Sequence, residues 1–266
     1  MRYPRIGIIC AFAIALLSLT AVSMNAQPAT NPQNQDASVK SDSQIQSDLV
    51  KAMSKDRFKT VQATANGGTV TLSGKVGLFA DKEEADRKAH HIKNVIAVRN
   101  DIEVARATVS DQELQEKLVK KLEYDRVGYG TTAFNAISVS VTGGVVTLGG
   151  HAYGPIDKDS AHSVAAYFPG VQDVMNDIEV DPASPMDDRI RIDTARAIYG
   201  QASLNKYAMD PAKPIRISVQ HGNVTLYGVV DNKADKDIAF IRANGVPGVF
   251  KVTNELQVEG DSQLRD

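Results

Sequence analysis

Cysteine is almost absent from the chain, with one residue, Cys10, in 266. A disulfide-stapled scaffold is thereby excluded. Tryptophan is missing and aromatic residues make up only 6%. Neither sign of charge dominates, since 30 Lys and Arg stand against 32 Asp and Glu for a net charge of −2. That balance argues against a general nucleic-acid binder, which carries a basic excess. Hydrophobic residues at 42% and charged residues at 23% are ordinary globular proportions. Disorder throughout, a collagenous chain and a multi-span membrane protein are therefore excluded. Length alone suggests one or two domains.

The one long apolar run is N-terminal. Arg2 and Arg5 precede a largely apolar stretch from Ile6 to Val22, and small residues follow at Ser23 and Ala26. This order of basic start, apolar core and small-residue cleavage site predicts a secretory signal over residues 1–26. Cleavage after Ala26 is expected, with Ala21 and Ser23 as an alternative site. The competing reading, a retained anchor, meets a run at the short limit for a span. Cys10 lies inside the apolar core, so cleavage leaves a thiol-free chain, suited to an oxidising compartment. Loss of Arg2 and Arg5 takes the net charge to −4. Residues 27–41, rich in Asn, Gln, Pro and Ser, read as a disordered leader.

The rest of the chain repeats itself. Gly68-Thr-Val-Thr-Leu-Ser-Gly74, Gly144-Val-Val-Thr-Leu-Gly-Gly150 and Gly222-Asn-Val-Thr-Leu-Tyr-Gly228 recur at offsets of 76 and 78 residues. A second signature, Val95-x-x-Val98-x-Asn100-Asp101-Ile102-Glu103-Val104, recurs at the same offsets, with Asn176 and Asn254 matching Asn100. The copies align without a gap over 68–104, 144–180 and 222–258.

Upstream of each glycine signature, apolar residues alternate with polar ones: Val61, Ala63, Ala65; Ile137, Val139, Val141; Ile215, Ile217, Val219. Period two predicts a strand with one buried face. Before it, Ile45, Leu49, Ala52 and Met53, then Leu114, Leu118 and Leu122, then Ile190, Thr194, Ala197 and Ile198 fall on one helical face. Asp42, Asp111 and Asp187 open these helices as expected N-caps. A second helix opens at Asp81, Asp157 and Asp235, also read as caps. It carries Ala85, Ala89, Ile92; Ala161, Ala165, Phe168; Ala239, Ala243, Val246 inward. Hairpin turns are expected at Asn66-Gly67-Gly68, Gly143-Gly144 and His221-Gly222. Each unit thus reads helix, strand, strand, helix, strand, and a strand–helix–strand crossover is usually parallel and right-handed. The expected fold class is α+β: three tandem α-β-β-α-β units, each a three-stranded mixed sheet with both helices on one face. Their expected spans are 42–104, 111–180 and 187–258, followed by a polar tail at 259–266.

The pattern apolar-x-Val-x-x-Gly-x-Val-Thr-Leu-x-Gly, an Ala-rich helix, then Pro-Gly-Val-x-x-Val-x-Asn-x-Ile-x-Val resembles the BON domain. Copy one departs from it with Lys93-Asn94 in place of Pro-Gly, and copy three with Glu255-Leu256 in place of Asp-Ile. The resemblance implies a periplasmic or envelope-associated protein of the osmotic-stress type. It also implies contact with phospholipid surfaces or envelope proteins, without catalysis.

Read residue by residue, the sequence offers no converging catalytic set. His90, His91, His151, His162 and His221 occupy no equivalent positions. Adjacent His90 and His91 point apart on a helix, so no metal is expected. The glycine turns lead into strands rather than helices, so they lack phosphate-loop geometry. Thr71, Thr147 and Thr225 suit the exposed face of a strand. Asn100, Asn176 and Asn254 suit local backbone hydrogen bonds. No catalytic residue, cofactor, small-molecule substrate or nucleic-acid partner is expected.

The candidate lipid- or partner-binding residues lie in the long connections of copies two and three. They are Tyr124, Tyr129, Phe134, Lys120, Lys121 and Arg126, then Tyr199, Lys206 and Tyr207, with Lys117, Leu204 and Met209 nearby. Amphipathic aromatics beside cations suit a membrane interface or a protein groove. The competing assignment closes the small cores with the aromatics and leaves the charges in water. Short linkers, 105–110 and 181–186, predict separate units with limited bending between them. A phospholipid-surface protein is the first expectation, and a chaperone or scaffold for secreted or outer-membrane proteins is the alternative.

Overall fold

The computed structural model describes residues 40–106, 109–125, 131–211 and 213–260. The expected signal, most of the leader and the end of the tail lie outside them, as do Arg126 and Tyr129. The elements are α1 (Asp42–Ala52), β1 (Gln62–Asn66), β2 (Thr69–Val76), α2 (Phe79–His90) and β3 (Ala97–Val104) in unit one. Unit two has α3 (Asp111–Asp125), β4 (Ala136–Thr142), β5 (Val145–Ala152), α4 (Pro155–Ala166), β6 (Asp173–Asn176) and β7 (Glu179–Val180). Unit three has α5 (Pro185–Tyr199), α6 (Lys206–Met209), β8 (Arg216–Gln220), β9 (Asn223–Tyr227), β10 (Val229–Val230), α7 (Lys233–Asn244), β11 (Lys251–Asn254) and β12 (Gln257–Val258).

The α+β order read from the sequence is the order observed. The main sheet of each unit is mixed, with the glycine-signature strand in the middle; β7 also pairs parallel with β5, and β10 and β12 form a separate two-stranded parallel sheet. β2 pairs antiparallel with β1 and parallel with β3. β5 pairs likewise with β4 and β6, and β9 with β8 and β11. The alternation explains the layering. Val70 and Leu72, Val146 and Leu148, Val224 and Leu226 are buried beneath the helices. In unit one Gln62, Thr64, Thr69, Thr71 and Ser73 share the opposite face. Ala85, Ala89, Ala161, Ala165, Ala239 and Ala243 are buried, and their small size seats the second helix close on its sheet.

The glycine that ends each signature has a steric reason. Gly74 and Gly150 adopt φ of +115° and +84°. A Cβ there would lie 2.0 Å from the carbonyl oxygen of Thr60 or Ala136 on the paired edge. Only glycine permits both the positive φ and that approach.

The units are not separate beads. Buried residues of units one and two form a single cluster running from Ile45 to Ile178. His162 of α4 reaches Glu83 of α2 at 2.8 Å, and the Gln172 amide donates to the carbonyl of Ala105 at 3.2 Å. Short linkers leave too little chain to separate domains whose flanks are this complementary.

Candidate functional site

Three hydrogen-bonded devices recur in the units and fix the surfaces that could bind anything. In the first, the carboxylate of Asp42 accepts from the amides of Gly67 and Gly68 at 2.7 and 3.0 Å. Asp111 does the same for Gly143 and Gly144, at 2.6 and 2.9 Å. Asp187 holds His221 and Gly222, at 3.0 and 2.8 Å. These aspartates are therefore not N-caps. The caps are the preceding serines: Gln44 bonds the Ser41 amide, and Ser110 and Ser184 accept from Glu113 and Asp187. Each aspartate spends its two oxygens clamping the hairpin turn to the first helix. The Gly67 and Gly68 amides hold the Asp42 carboxyl below the ordinary range.

In the second device, a buried aspartate at the third position of the second helix holds the connection that precedes the first strand. It is not the cap read from the sequence. Asp81 faces Arg57 at 3.6 Å. Asp157 accepts from Asn135 at 3.0 Å. Asp235 accepts from the Tyr207 hydroxyl at 2.7 Å and meets Lys206 at 2.8 Å. The helix dipole favours an anion at each place, and the partner differs because the connections differ. Burial lifts the Asp81 carboxyl above its ordinary value, with Arg57 opposing. Burial pushes Asp235 the same way, but hydrogen bonds from Lys206 and Tyr207 outweigh it and the carboxyl ends lower.

In the third device, Asn100, Asn176 and Asn254 donate to the carbonyls of Lys82, Lys158 and Lys236. They accept from the amides of Ile102, Ile178 and Leu256. The asparagines tie the last strand to the start of the second helix, which extends the local backbone role expected of them. Among the described residues, no group of three His, Cys, Asp or Glu side chains is placed to hold a metal ion.

The recurrence of the Gly68/Gly74 and Asn100 signatures, each with a fixed structural partner, decides the family. A BON domain model matches residues 41–106, 110–182 and 201–260. The chain belongs to the BON domain family. The third match starts at 201, yet α5 lies before it, and Asp187 on α5 clamps its hairpin as Asp42 and Asp111 do in the other BON units. No curated protein matches the chain. Among solved structures, it is similar to CdsD, the structural protein of the type III secretion system of Chlamydia trachomatis, C-terminal domain, at 18% identity. That match covers 80% of this chain and 96% of that one, with a TM-score of 0.23. A second structure of CdsD matches at 19% identity over 83% and 97%, also at 0.23. Superpositions that loose support no argument about function.

The BON units scatter the expected binding residues. Tyr124 is 49% exposed on α3, with Lys120 and Lys121 exposed beside it. Tyr207 is 2% exposed and belongs to the core of unit three, and Leu204 is buried with it. Lys206 is committed to Asp231 and Asp235, which raises its pKa. Tyr199 bonds the Ile215 carbonyl at 2.6 Å through its hydroxyl. Phe134 packs against the core of unit three and lies 5.8 Å from the Tyr153 ring. Aromatics in these small units are drawn inward because each supplies a large share of the apolar area available for burial. Among the described residues of the expected set, the α3 group presents an exposed aromatic, Tyr124, beside exposed lysines.

Sequence reasoning missed the buried joint between units two and three. Asp181 of the linker accepts from Ser218 at 2.9 Å and Gln220 at 3.1 Å, and meets Arg191 at 3.4 Å. Arg191 lies under the Tyr153 ring at 4.9 Å. His151 joins Gln220 at 3.1 Å. The signal available was an Asp followed ten residues later by an Arg on the helix face that carries Ile190, Thr194 and Ile198.

Proposed function

We propose that this protein is a non-enzymatic, exported envelope protein that binds phospholipid membrane surfaces, with a role in osmotic or envelope stress. The observation that carries the reading is Tyr124, 49% exposed on α3 beside the exposed Lys120 and Lys121. An amphipathic ring at a membrane interface and cations drawn to anionic head groups belong together. Membership of a family known for membrane and phospholipid binding, and generally without catalysis, supports it. The apolar run from Ile6 to Val22 supports export to the periplasm.

Co-sedimentation of the mature chain with anionic and with zwitterionic vesicles tests the reading. Binding to the anionic vesicles is expected to fall about tenfold or more in Lys120→Glu/Lys121→Glu, from roughly 1 kcal/mol per charge. Equal, negligible sedimentation with both vesicles would overturn it.

A second reading, a periplasmic chaperone or scaffold for secreted or outer-membrane proteins, is favoured by the apolar tip of unit three. Phe250 is 86% exposed there, with Ile241 and Met186 also exposed. Suppression of aggregation of an unfolded outer-membrane protein in the absence of lipid separates it from the first.

A further inference from the structure

A cavity of about 480 Å³ lies between units two and three. Leu122, Ile137, Val139 and Ala161 of unit two and Pro214 and Val229 of unit three form its apolar wall. The volume falls within the range of small-ligand sites, which favour domain junctions and carry a few convergent polar groups. Six ionisable side chains line it, and most are spent inside the protein. Asp125 accepts from the Ser160 hydroxyl at 2.7 Å, and Asp157 from Asn135 at 3.0 Å. Lys213 pairs with Glu259 at 2.9 Å. Arg216 donates from Nη1 to the carbonyls of Thr132 and Asn135, at 3.3 and 2.8 Å. Its Nη2 and Nε have no hydrogen-bond partner among the described residues, and Glu123 has neither a hydrogen bond nor an ion pair there.

The cavity therefore presents one unspent set of donors, on Arg216, and one unspent acceptor, Glu123, beside an apolar wall. The two charges influence one another without meeting in an ion pair. A carboxylate head group would satisfy Arg216 but oppose Glu123. An ammonium would satisfy Glu123 but oppose Arg216. We infer that the cavity binds a small molecule with an apolar body and a neutral amide head group, its oxygen accepting from Arg216 and its N–H donating to Glu123. Burial disfavours the Glu123 anion, with Arg216 partly offsetting it, as in a group kept short of solvent partners. This inference does not depend on the membrane-surface reading, which uses the outer face of α3.

The test titrates the mature chain with octanamide, octanoate and octylammonium, following amide resonances by heteronuclear NMR. Octanamide is expected to shift Ile137, Val139 and Ala161 saturably, with the two charged analogues binding about tenfold more weakly, the effect of roughly 1.4 kcal/mol. Glu123→Gln is expected to bring octanoate close to octanamide, because the opposing charge is gone. Val229→Phe is expected to abolish the shifts by filling the cavity from its other side. Octanoate or octylammonium binding the parent as tightly as octanamide would overturn the head-group assignment. Absence of saturable shifts with all three would overturn the site.

Discussion

Asp181 and Arg191, both almost wholly buried and 3.4 Å apart, stand at an edge-strand amide that a single glutamine satisfies elsewhere in the chain. In unit one Gln46 lies along the outer edge of β1, donating to the Ala63 carbonyl and accepting from the Ala65 amide. Gln115 accepts from the Val141 amide in unit two. At the matching position unit three has Arg191, which can donate to the Val219 carbonyl but cannot accept. The linker residue Asp181 supplies the missing acceptor for the Val219 amide. All three edge strands are thereby closed to further pairing at this amide, and in unit three the closure also fastens the linker onto the fold.

Breaking that pair should be costly, and replacing both members less so. Asp181→Ala is expected to destabilise unit three by about 1–3 kcal/mol, since it strands the buried Val219 amide and leaves Arg191 with Asp188 as its remaining carboxylate partner. Asp181→Asn combined with Arg191→Gln, which restores the amide of the other units, is expected to lose less than Asp181→Ala alone. Urea unfolding of the single and double variants gives the coupling directly. Additive losses would show that the two side chains act independently.

The hairpin clamps predict a local signature. Asp187→Ala removes two charge-assisted hydrogen bonds in a buried setting, for a loss of about 1.5–3 kcal/mol. Hydrogen exchange at His221 and Gly222 should accelerate beyond the change at the Gly143 and Gly144 amides. Uniform acceleration throughout would assign the aspartate a general rather than a local role.

The glycines are predicted to differ among themselves. A Cβ at Gly150 would meet the Ala136 oxygen at 2.0 Å, whereas one at Gly67 meets nothing within 4 Å. Gly67→Ala should therefore cost about 1–2 kcal/mol, from its positive φ alone. Gly150→Ala should cost about 3 kcal/mol or more, the overpacking added to the same conformational term. Thermal unfolding of the two variants side by side checks the order.

Acid unfolding should show opposing contributions from equivalent aspartates. The Asp235 carboxyl is held below its ordinary value of 3.8, so its stabilisation is present above that pH and lost as pH falls through the folded value. The Asp81 carboxyl is raised above 3.8, so its burial as an anion costs stability at neutral pH. That cost is relieved as pH falls through its folded value. Tyr207→Phe removes one of the bonds depressing Asp235. It is expected to cost about 1.5–3 kcal/mol at neutral pH and to lessen the stability lost below pH 3.8. Chemical denaturation at a series of pH values measures both limbs. An unchanged acid limb in Tyr207→Phe would detach Tyr207 from the titration of Asp235.

The repeat, the order of elements and the buried faces were legible because each rests on spacing. Ile45 and Leu49 lie one helical turn apart, and Val70 and Leu72 one strand period apart, and all four are buried as the spacing requires. The roles of Asp42 and Asp235 were not legible. An aspartate at a helix start satisfies the same local pattern whether it caps its own helix or reaches a distant partner. Asp42 finds its partners 25 and 26 residues away. Spacing assigns both Tyr207 and Tyr124 to connections, but the structure places Tyr124 within α3, exposed, and Tyr207 on α6 against a buried carboxylate.

By itself the sequence determined three α-β-β-α-β units and the glycines their turns demand, because period, chirality and sterics act over a few neighbouring residues. Only the tertiary structure decided that units one and two share a core, that Asp181 and Arg191 fasten the last two units together, and that Tyr207 and Leu204 of the expected basic–aromatic set turn inward while Tyr124 stays exposed on α3. Those outcomes depend on which side chains meet across the fold, where burial rewards a satisfied polar partner and penalises a missing one.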